Sequence, residues 1–300
     1  MSEPEREAGV TTTQEETTAA VTPTRKRLVL RPGVWLVWGG VLFFLFMLAG
    51  VVGAVLVSSF GTRWFGGWLP DGWTSRWYGE AWQEFGLAGV LRVTIEVALA
   101  VVAISILVGT PAAYALARRE FVGKKVLMVV FLLPILIPPF TYGIPLATVL
   151  TKYVGQNIVA VILANLVPSV PFVILVMTPF IEQIDPKIEA AARMCGAKTH
   201  VVFTRVLAPL LIPGMLASAI LILVRTVGMF ELTFLTAGND SQTLVVALFY
   251  SVSAAGIRAQ QEVDAMAVLY MLSMLVLLVG ALRYVNPTQL VTQIKEDRSE

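Results

Sequence analysis

Three ionisable side chains stand inside long apolar stretches of this 300-residue sequence: Glu96, Arg225 and Glu231. If these stretches cross a membrane, each charge lies where it is costly, and such residues commonly contact solutes or ions or pair with one another. The sequence therefore offers all three as candidates for contact with a translocated solute.

Glu96 and Arg225 could also pair with each other. A rise of 1.5 Å per residue places Arg225 roughly 22 Å along a helix that begins at Leu210, and Glu96 roughly 8 Å from the opposite entry at Leu91. In a hydrocarbon core of about 30 Å the two reach a similar depth, which suggests a cross-helix ion pair. The alternative is that Glu96 pairs with Arg92, one turn away, while Arg225 extends to the membrane surface.

Glu231 follows Arg225 near the far end of the same apolar stretch, with Thr233 and Thr236 close by in sequence. A carboxylate that faces a solute pathway could contact a cationic solute such as a polyamine. The alternatives are a structural cap or ion pair, or a carboxylate that is wetted at the membrane surface.

The remaining residue types argue against catalysis. One cysteine, Cys195, and one histidine, His200, provide no set of three or four metal donors. A formal net charge of +2 lacks the basic excess of a nucleic-acid binder. The phosphate-loop pattern G-x-x-x-x-G-K-[ST] does not occur. We therefore expect no catalytic residue, no metal and no cofactor bound by this chain.

Composition identifies the elements that must position these residues. Hydrophobic residues make up 57% of the chain and charged residues 14%, with a mean hydropathy of +0.78, whereas soluble proteins carry about 25% charged residues. The apolar residues form blocks long enough to cross a membrane as helices. The sequence predicts an all-α, polytopic membrane protein with six spans at about 35–57, 91–117, 126–150, 157–180, 210–235 and 264–284.

Prolines and tryptophans mark special segments. The third and fourth spans contain several prolines and are expected to be kinked or broken; these are Pro134, Pro138, Pro139, Pro145, Pro168, Pro171 and Pro179. The tryptophan-rich stretch 59–87 is expected to lie at the outer membrane surface as an anchor. The alternative is that it belongs to a docking surface for an external protein.

Lysines and arginines indicate the orientation. Fifteen of them flank the spans on one side and five lie on the other, so the positive-inside rule predicts that both termini are cytoplasmic. Residues 1–28 are polar and rich in Thr and Glu, which predicts a disordered cytoplasmic tail rather than a signal peptide. We expect a transmembrane domain over 29–286 and a second cytoplasmic tail over 287–300.

The longest polar segment on the cytoplasmic side begins at 181 and has the residues of a helix–turn–helix. Asp185 is a good N-cap and Pro186 fits the first turn of a helix. Gly196 stands where that helix must stop. A second amphipathic stretch, 199–206, then leads to Pro209 and the fifth span.

The run from Ala190 to Gly196, nine further residues and Val206-Leu207-Ala208-Pro209 form a pattern that resembles the EAA loop of ABC-importer permeases. The family pattern is Glu-Ala-Ala, three residues, Gly, nine residues, a β-branched residue, any residue, Leu and Pro. Here Ala190 occupies the position of the glutamate, Glu189 lies one residue early, and Ala208 replaces the leucine. One residue on a helix is a rotation of about 100°, so Glu189 is expected to face a different direction from the family's glutamate.

The resemblance implies the six-helix fold of a type I importer permease that couples to a cytoplasmic ATPase through the loop at 181–209. Two permease subunits, identical or paralogous, would line the solute path, and two ATPase subunits using ATP and Mg would take up the loops. A solute-binding protein would deliver cargo from outside. The coupling residues implied are Glu189, Ala190, Ala191, Ala192, Arg193, Gly196, Ala197 and Pro209.

The substrate is less well indicated. The segments TSRWYGEAW and FELTFLTAGNDSQTLVVALFYSV are more similar to importers of polyamines, ferric iron or aminophosphonates than to sugar importers. A sugar or sugar alcohol is the alternative. A secondary transporter is a more remote one, since no inverted repeat is visible in the sequence. The resemblance implies the plasma (inner) membrane of a bacterium.

Overall fold

The structure is a computed structural model that describes residues 32–64, 67–253 and 259–284. Within them the chain is helical apart from its connections, which confirms the all-α prediction. In chain order the helices are α1 (Pro32–Ser59), α2 (Arg76–Glu84), α3 (Leu87–Arg118), α4 (Lys124–Leu136), α5 (Pro139–Tyr153), α6 (Ile158–Glu182), α7 (Pro186–Met194), α8 (Thr199–Val201), a π-helix (Val202–Leu207), α9 (Ala208–Val227), α10 (Phe230–Thr236), a 3-10 turn (Asn239–Ser241), α11 (Leu244–Ser253) and α12 (Gln260–Tyr284).

Five helices of the described residues are long and apolar enough to cross a membrane, and the predicted six are reached when α4 and α5, which meet at a bend of 94°, are counted as one span. The bend falls at Pro138 and Pro139, because proline removes a backbone donor and forces the preceding Ile137 into an extended conformation (φ −80°, ψ 134°). The prediction that prolines break the third span is confirmed.

The chain divides into two compact units, residues 1–50 and 51–300. In the first unit, the side chains of α1 from Trp35 to Gly50 are exposed and largely apolar. The predicted tails, 1–28 and 287–300, lie outside the described residues and stay predictions, as do the limits 29–286 of the transmembrane domain.

The core of the second unit is formed by α3, α6 and α9. Val101, Val173, Met177 and Ile222 are all buried in it. At Gly109 the backbones of α3 and α6 approach so closely that an added Cβ would lie 2.7 Å from the Cβ of Val173. These long helices therefore form the tightly packed part of the molecule.

The fifth span differs from its prediction. We expected one helix over about 210–235, but α9 ends at Val227 and α10 begins at Phe230, with Gly228 and Met229 between them. Met229 has left the helical region (φ −77°, ψ 98°). The short helix α11 was not predicted, since its 10 residues fall below the length of about 20 that a span needs.

The start of the fifth span carries a wider helical turn. Residues Thr199–Val227 form one continuous helix, and its segment Val202–Leu207 is π-helical. Pro209, at the start of α9, and Pro213, within it, follow this segment. Because a proline cannot donate the i→i−4 hydrogen bond, a π segment beside it gives the freed carbonyls a different pattern of donors.

We call the side of the membrane that holds Arg118 and α7 the inner side, and the opposite side the outer side. The inner side is the one that the lysines and arginines predict to be cytoplasmic. On the outer side, α2 is fixed by Trp77, which is buried and donates its indole N–H to the Gly61 carbonyl (2.8 Å). Trp68, earlier in the same segment, is fully exposed, so the aromatic segment contains both packed and exposed tryptophans.

Candidate functional site

Helix α7 has the local structure that its residue types predict. The Asp185 carboxylate accepts the backbone N–H of Lys187 (2.8 Å), and Pro186 occupies the first turn. At the other end Gly196 is left-handed (φ 83°), a conformation that glycine adopts without a Cβ clash. Its N–H donates to the Arg193 carbonyl (3.0 Å), and the Ala197 N–H donates to the Ala192 carbonyl (3.1 Å). The predicted helix–turn–helix is confirmed.

Glu189 is the only acidic residue in the first turn of α7, and it is 6% exposed. Arg118, the last residue of α3, donates its Nε–H to Oε1 (2.7 Å), and the Tyr114 hydroxyl donates to Oε2 (2.7 Å). Arg118 also donates from Nη2 to the Ile184 carbonyl (2.7 Å). We call Tyr114, Arg118 and Glu189 the inner cluster; it joins α7 to the inner end of α3 by charge-assisted hydrogen bonds.

The one-residue displacement of the glutamate has a visible consequence. Glu189 points into the chain, whereas Ala190, at the position of the family's glutamate, is exposed. A residue one place earlier on a helix is rotated by about 100°, and here that rotation brings the carboxylate to Arg118. The geometry therefore favours an internal role for Glu189 over direct contact with a partner.

The outward face of α7 is made of small and apolar residues together with one lysine, Lys187, which is also exposed. Ala190, Ala191 and Met194 are exposed, Met194 by 86%. Arg193 lies at the edge of this face, its Nη2 3.8 Å from Glu189 Oε2 and its side chain 53% exposed. An exposed apolar helix face beside polar residues is typical of a contact with a partner protein.

The other predicted coupling residues have different structural roles. Ala192 and Ala197 are half-buried against the core of the second unit. Gly196 forms the turn, and Pro209 is exposed at the start of α9. The loop thus divides into residues that fix α7 to the protein and residues that it presents.

The prediction that Glu96 and Arg225 form a cross-helix ion pair is wrong. The Arg92 Nε–H donates to Glu96 Oε1 (2.6 Å), with the two side chains 79% and 45% exposed. Both residues line a recess of about 680 Å³ on the outer side, together with Asn239 and Asp240. Glu96 and Arg92 share one face of α3, and a partner four residues away on that face is reached without crossing to another helix.

Arg225 and Glu231 lie on either side of the break between α9 and α10, and both are half-buried. The Arg225 guanidinium stands 5.9 Å from the centre of the Phe172 ring, and no carboxylate of the described residues forms an ion pair with it. Tyr142, in the first turn of α5, packs against the buried cluster that contains Met229 and Leu232, and its hydroxyl oxygen is buried with no hydrogen-bond partner among the described residues. We call Tyr142, Arg225 and Glu231 the outer cluster.

The sequence did not point to Tyr114, Arg118 or Tyr142. Arg118 was counted only as a basic residue at the end of a span. The spacing of Tyr114 and Arg118, four residues apart at the end of a helix, was a usable signal, because such residues share one face.

No group of three or more His, Cys, Asp or Glu side chains within the described ranges could hold a metal ion. Cys195 and His200 are both exposed there. The expectation that the chain binds no cofactor stays a prediction.

The amino-acid sequence is similar to those of known transport proteins. Residues 105–290 match the family described as "Binding-protein-dependent transport system inner membrane component". The chain is 28% identical over 190 residues to the molybdate/tungstate transport system permease protein WtpB of Thermococcus kodakarensis, covering 63% of this chain and 76% of that protein. It is 28% identical over 165 residues to the molybdenum transport system permease protein ModB of Haemophilus influenzae, covering 49% and 72%.

A further relative and a solved structure extend the comparison. The trehalose transport system permease protein SugB of Mycobacterium tuberculosis is 31% identical over 168 residues, covering 55% of this chain and 56% of that protein. The fold is similar to that of a chain in the crystal structure of a bacterial ABC transporter involved in the import of the acidic polysaccharide alginate. The TM-score is 0.64 at 17% identity, covering 89% of this chain and 97% of that one.

Proposed function

The chain belongs to the family of binding-protein-dependent transport system inner membrane components, the permeases of ABC importers, and on this premise we propose that it lines half of the path of a tetrahedral oxyanion such as molybdate or tungstate. The observation that carries the substrate class is the similarity to WtpB, which extends over 63% of this chain and 76% of that protein. The similarity to ModB supports the same class.

The oxyanion class replaces the substrates that the two sequence segments suggested. WtpB and ModB are named for molybdate, tungstate or molybdenum rather than for polyamines, ferric iron or aminophosphonates. A sugar is the second candidate, supported by the similarity to SugB, although that match covers only 56% of the relative. Family membership favours an importer permease over a stand-alone secondary transporter.

The proposal includes three kinds of partner. A second permease, identical or paralogous, completes the path, and a solute-binding protein docks on the outer side. Two ATPase subunits that use ATP and Mg dock on the inner side, which is then cytoplasmic, as are both termini. The exposed apolar face of α7 supports the docking, and the lack of a phosphate-loop motif supports a separate ATPase.

Within this chain the inner cluster provides a route from α7 to the spans. A displacement of α7 by a docked ATPase acts on Glu189, and through its hydrogen bonds to Tyr114 and Arg118 it acts on α3. Because α3 packs along α6 and α9 in one core, a push at its inner end moves a packed group of helices rather than one loop. Movement of this kind fits the rigid-body repertoire of switching proteins.

The test is the ATPase rate of the purified complex in nanodiscs with its solute-binding protein. The solute-binding protein is loaded in turn with molybdate, tungstate, sulfate, trehalose, putrescine or ferric iron, and the unloaded solute-binding protein is the control. We expect stimulation by a loaded oxyanion. Stimulation by trehalose alone would establish the sugar alternative, and a complex that retains no ATPase subunit would overturn the proposed coupling.

A matched pair of variants tests the docking face. Met194→Glu places a charge on the exposed face of α7 and is expected to release the ATPase subunit during purification. Phe121→Glu places the same charge at another exposed position near the inner end of α3 and is expected to leave the subunit bound. Equal retention in both variants would contradict docking through this face.

A further inference from the structure

A second recess, of about 690 Å³, lies on the inner side between α3 and the helix that begins the fifth span. We call it the inner recess. It is lined by Pro111, Tyr114, Lys198, Thr199, His200 and Phe203. The exposed residues of the outward face of α7 do not line it, so the inner recess is separate from the surface proposed above for the ATPase.

The walls of the inner recess are largely apolar. The rings of Tyr114 and Phe203 meet edge to face, with their centres 5.4 Å apart. The Tyr114 hydroxyl already donates to Glu189, so this residue offers mainly the apolar surface of its ring. Pro111 is exposed and has no backbone N–H to donate. These three residues provide a surface that suits a hydrocarbon chain.

The remaining lining residues are polar, exposed and consecutive in the chain. Lys198 carries three N–H donors, and the Thr199 hydroxyl and the His200 imidazole can each donate as well. No ion pair of the described residues includes Lys198. Glu189, the carboxylate bonded to Tyr114, accepts from Arg118 and not from Lys198. The rim of the inner recess thus holds an uncompensated positive charge beside further donors, a set that suits a phosphate group.

The inner recess lies where the membrane meets water. Thr199 and His200 begin the helix Thr199–Val227, which is long and apolar enough to cross the membrane. Pro111 lies about 10 Å from Arg118, the inner end of α3, at a rise of 1.5 Å per residue.

An apolar strip of α3 leads from this recess into the membrane. Ile104, Leu107 and Val108 are exposed and stand three, four and seven residues before Pro111, so all four share one face of the helix. A strip of this kind that ends at a basic rim has the two parts that a phospholipid needs, one for an acyl chain and one for a headgroup.

We propose that the inner recess binds an anionic phospholipid of the leaflet on the inner side. Its phosphate lies at Lys198, Thr199 and His200, and one acyl chain follows Pro111 and the exposed face of α3. The lipid joins α3, which carries the inner cluster, to the start of the fifth span. The proposal goes beyond the importer function and does not depend on the solute. A lipid fits better than a segment of the ATPase, because the apolar strip continues into the membrane, where a water-soluble protein does not follow.

The test is native mass spectrometry of the complete complex, released from nanodiscs that contain equal amounts of phosphatidylglycerol and phosphatidylcholine. The wild type is expected to retain phosphatidylglycerol in preference to phosphatidylcholine. Lys198→Gln should lower the retained phosphatidylglycerol by about fivefold, since a basic side chain near an anionic membrane surface contributes roughly that factor to affinity. Equal retention by wild type and variant would overturn the site.

Lys125→Gln is the matched control, because it removes the same charge from another exposed lysine on the inner side that does not line the recess. Its retention of phosphatidylglycerol should equal that of the wild type. Equal losses in Lys125→Gln and Lys198→Gln would reduce the effect to general attraction of anionic lipid and overturn the site.

A second pair of variants tests the apolar part of the recess. Thr199→Trp fills the recess with a large ring and keeps Lys198, and it should also lower the retained phosphatidylglycerol. Thr204→Trp places the same ring at an exposed position that does not line the recess and should leave retention unchanged. Retention that is the same in these two variants would contradict a lipid chain in the recess.

Two further results would assign the inner recess to another occupant. The same spectra show whether the ATPase subunits are retained, and their loss from Lys198→Gln with unchanged lipid would make the recess a contact with the ATPase. Displacement of phosphatidylglycerol by millimolar inorganic phosphate would make it a site for a free anion. Either result would overturn the lipid site, whereas retention of lipid in millimolar phosphate supports it.

Discussion

The inner and outer clusters hold the same kinds of side chain in opposite states. In the inner cluster a tyrosine, an arginine and a glutamate are joined by hydrogen bonds of 2.7 Å, and the ion pair is 13% and 7% exposed at its two side chains. In the outer cluster a tyrosine, an arginine and a glutamate are all half-buried, and no hydrogen bond or ion pair of the described residues joins them. The polar groups of the inner cluster bind one another, whereas those of the outer cluster do not.

A satisfied buried pair specifies one arrangement of the helices that carry it, because either charge alone would be costly to bury. The inner cluster therefore fits a part that must move as a unit with α7. Unpaired charges beside a broken helix keep their capacity to bind something else. The outer cluster has no such pair among the described residues, and the predictions below test this division.

The largest effect is expected from breaking the inner ion pair. Arg118→Leu or Glu189→Leu alone leaves a buried charge without its partner, at a cost of about 3–5 kcal/mol. Each single variant should lower the unfolding temperature of the purified complex by several degrees and should abolish uptake.

The double variant separates stability from coupling. Replacing a buried pair by two apolar residues is often close to neutral, so Arg118→Leu with Glu189→Leu should regain most of the unfolding temperature. Uptake should stay low, because α7 is no longer joined to α3 by these hydrogen bonds. Full recovery of uptake would reduce the inner cluster to a structural role and erase the contrast with the outer one.

The next effect concerns packing on the two sides of the molecule. Gly109→Ala would force a Cβ to within 2.7 Å of Val173 Cβ and 3.3 Å of the Val170 carbonyl, and overpacking of this kind costs about 1–3 kcal/mol. Gly143→Ala, beside Tyr142, meets only the terminal methyl groups of Leu232 and Leu235, which can move. We expect a clear loss of thermal stability for the first variant and a smaller one for the second; the reverse order would contradict a rigid inner half.

A smaller effect is expected at the end of α7. Gly196→Ala puts a Cβ on a left-handed residue (φ 83°), which costs about 1–2 kcal/mol. It should lower the stimulated ATPase rate more than the basal rate, because the turn that fixes α7 is strained. Gly280→Ala in α12, where nothing lies within 4 Å of the added Cβ, is the control and should leave both rates unchanged.

The smallest effect belongs to the exposed pair on the outer side. Glu96→Gln removes one charge of an exposed i,i+4 pair, and such pairs contribute little to stability. The unfolding temperature of the complex should not change measurably. A drop comparable with that of Glu189→Leu would show that exposure is a poor guide to the value of these pairs.

Much of the fold could be predicted from the sequence, because the length of an apolar stretch sets the number of spans. The ends of α7 were also predictable, since the cap at Asp185 and the turn at Gly196 depend on residues within a few positions. The break at Gly228 was not, because hydropathy reports which segments leave water and is silent on where a backbone hydrogen bond is interrupted.

The site was predicted less completely. The EAA-like pattern located the loop and its displaced glutamate, and Arg225 and Glu231 were selected by their depth. The partner of Glu189 could not be found in this way, because Arg118 is 71 residues away in the chain and is brought near only by the packing of α3. The pairing of Glu96 depended on the face of a helix, which a depth estimate does not contain.

The π-helical segment Val202–Leu207 has a mechanical consequence for the start of the fifth span. Its i→i+5 hydrogen bonds accommodate one residue more than an α-helix of the same length. The segment is therefore a one-residue insertion in an otherwise regular helix. Moving that wide turn one residue along the chain rotates the residue that it passes by about 100° and shifts it by about 1.5 Å, without a net loss of hydrogen bonds. Side chains at the inner end of this span can therefore change the direction in which they face, one residue at a time, without a bend in the helix axis.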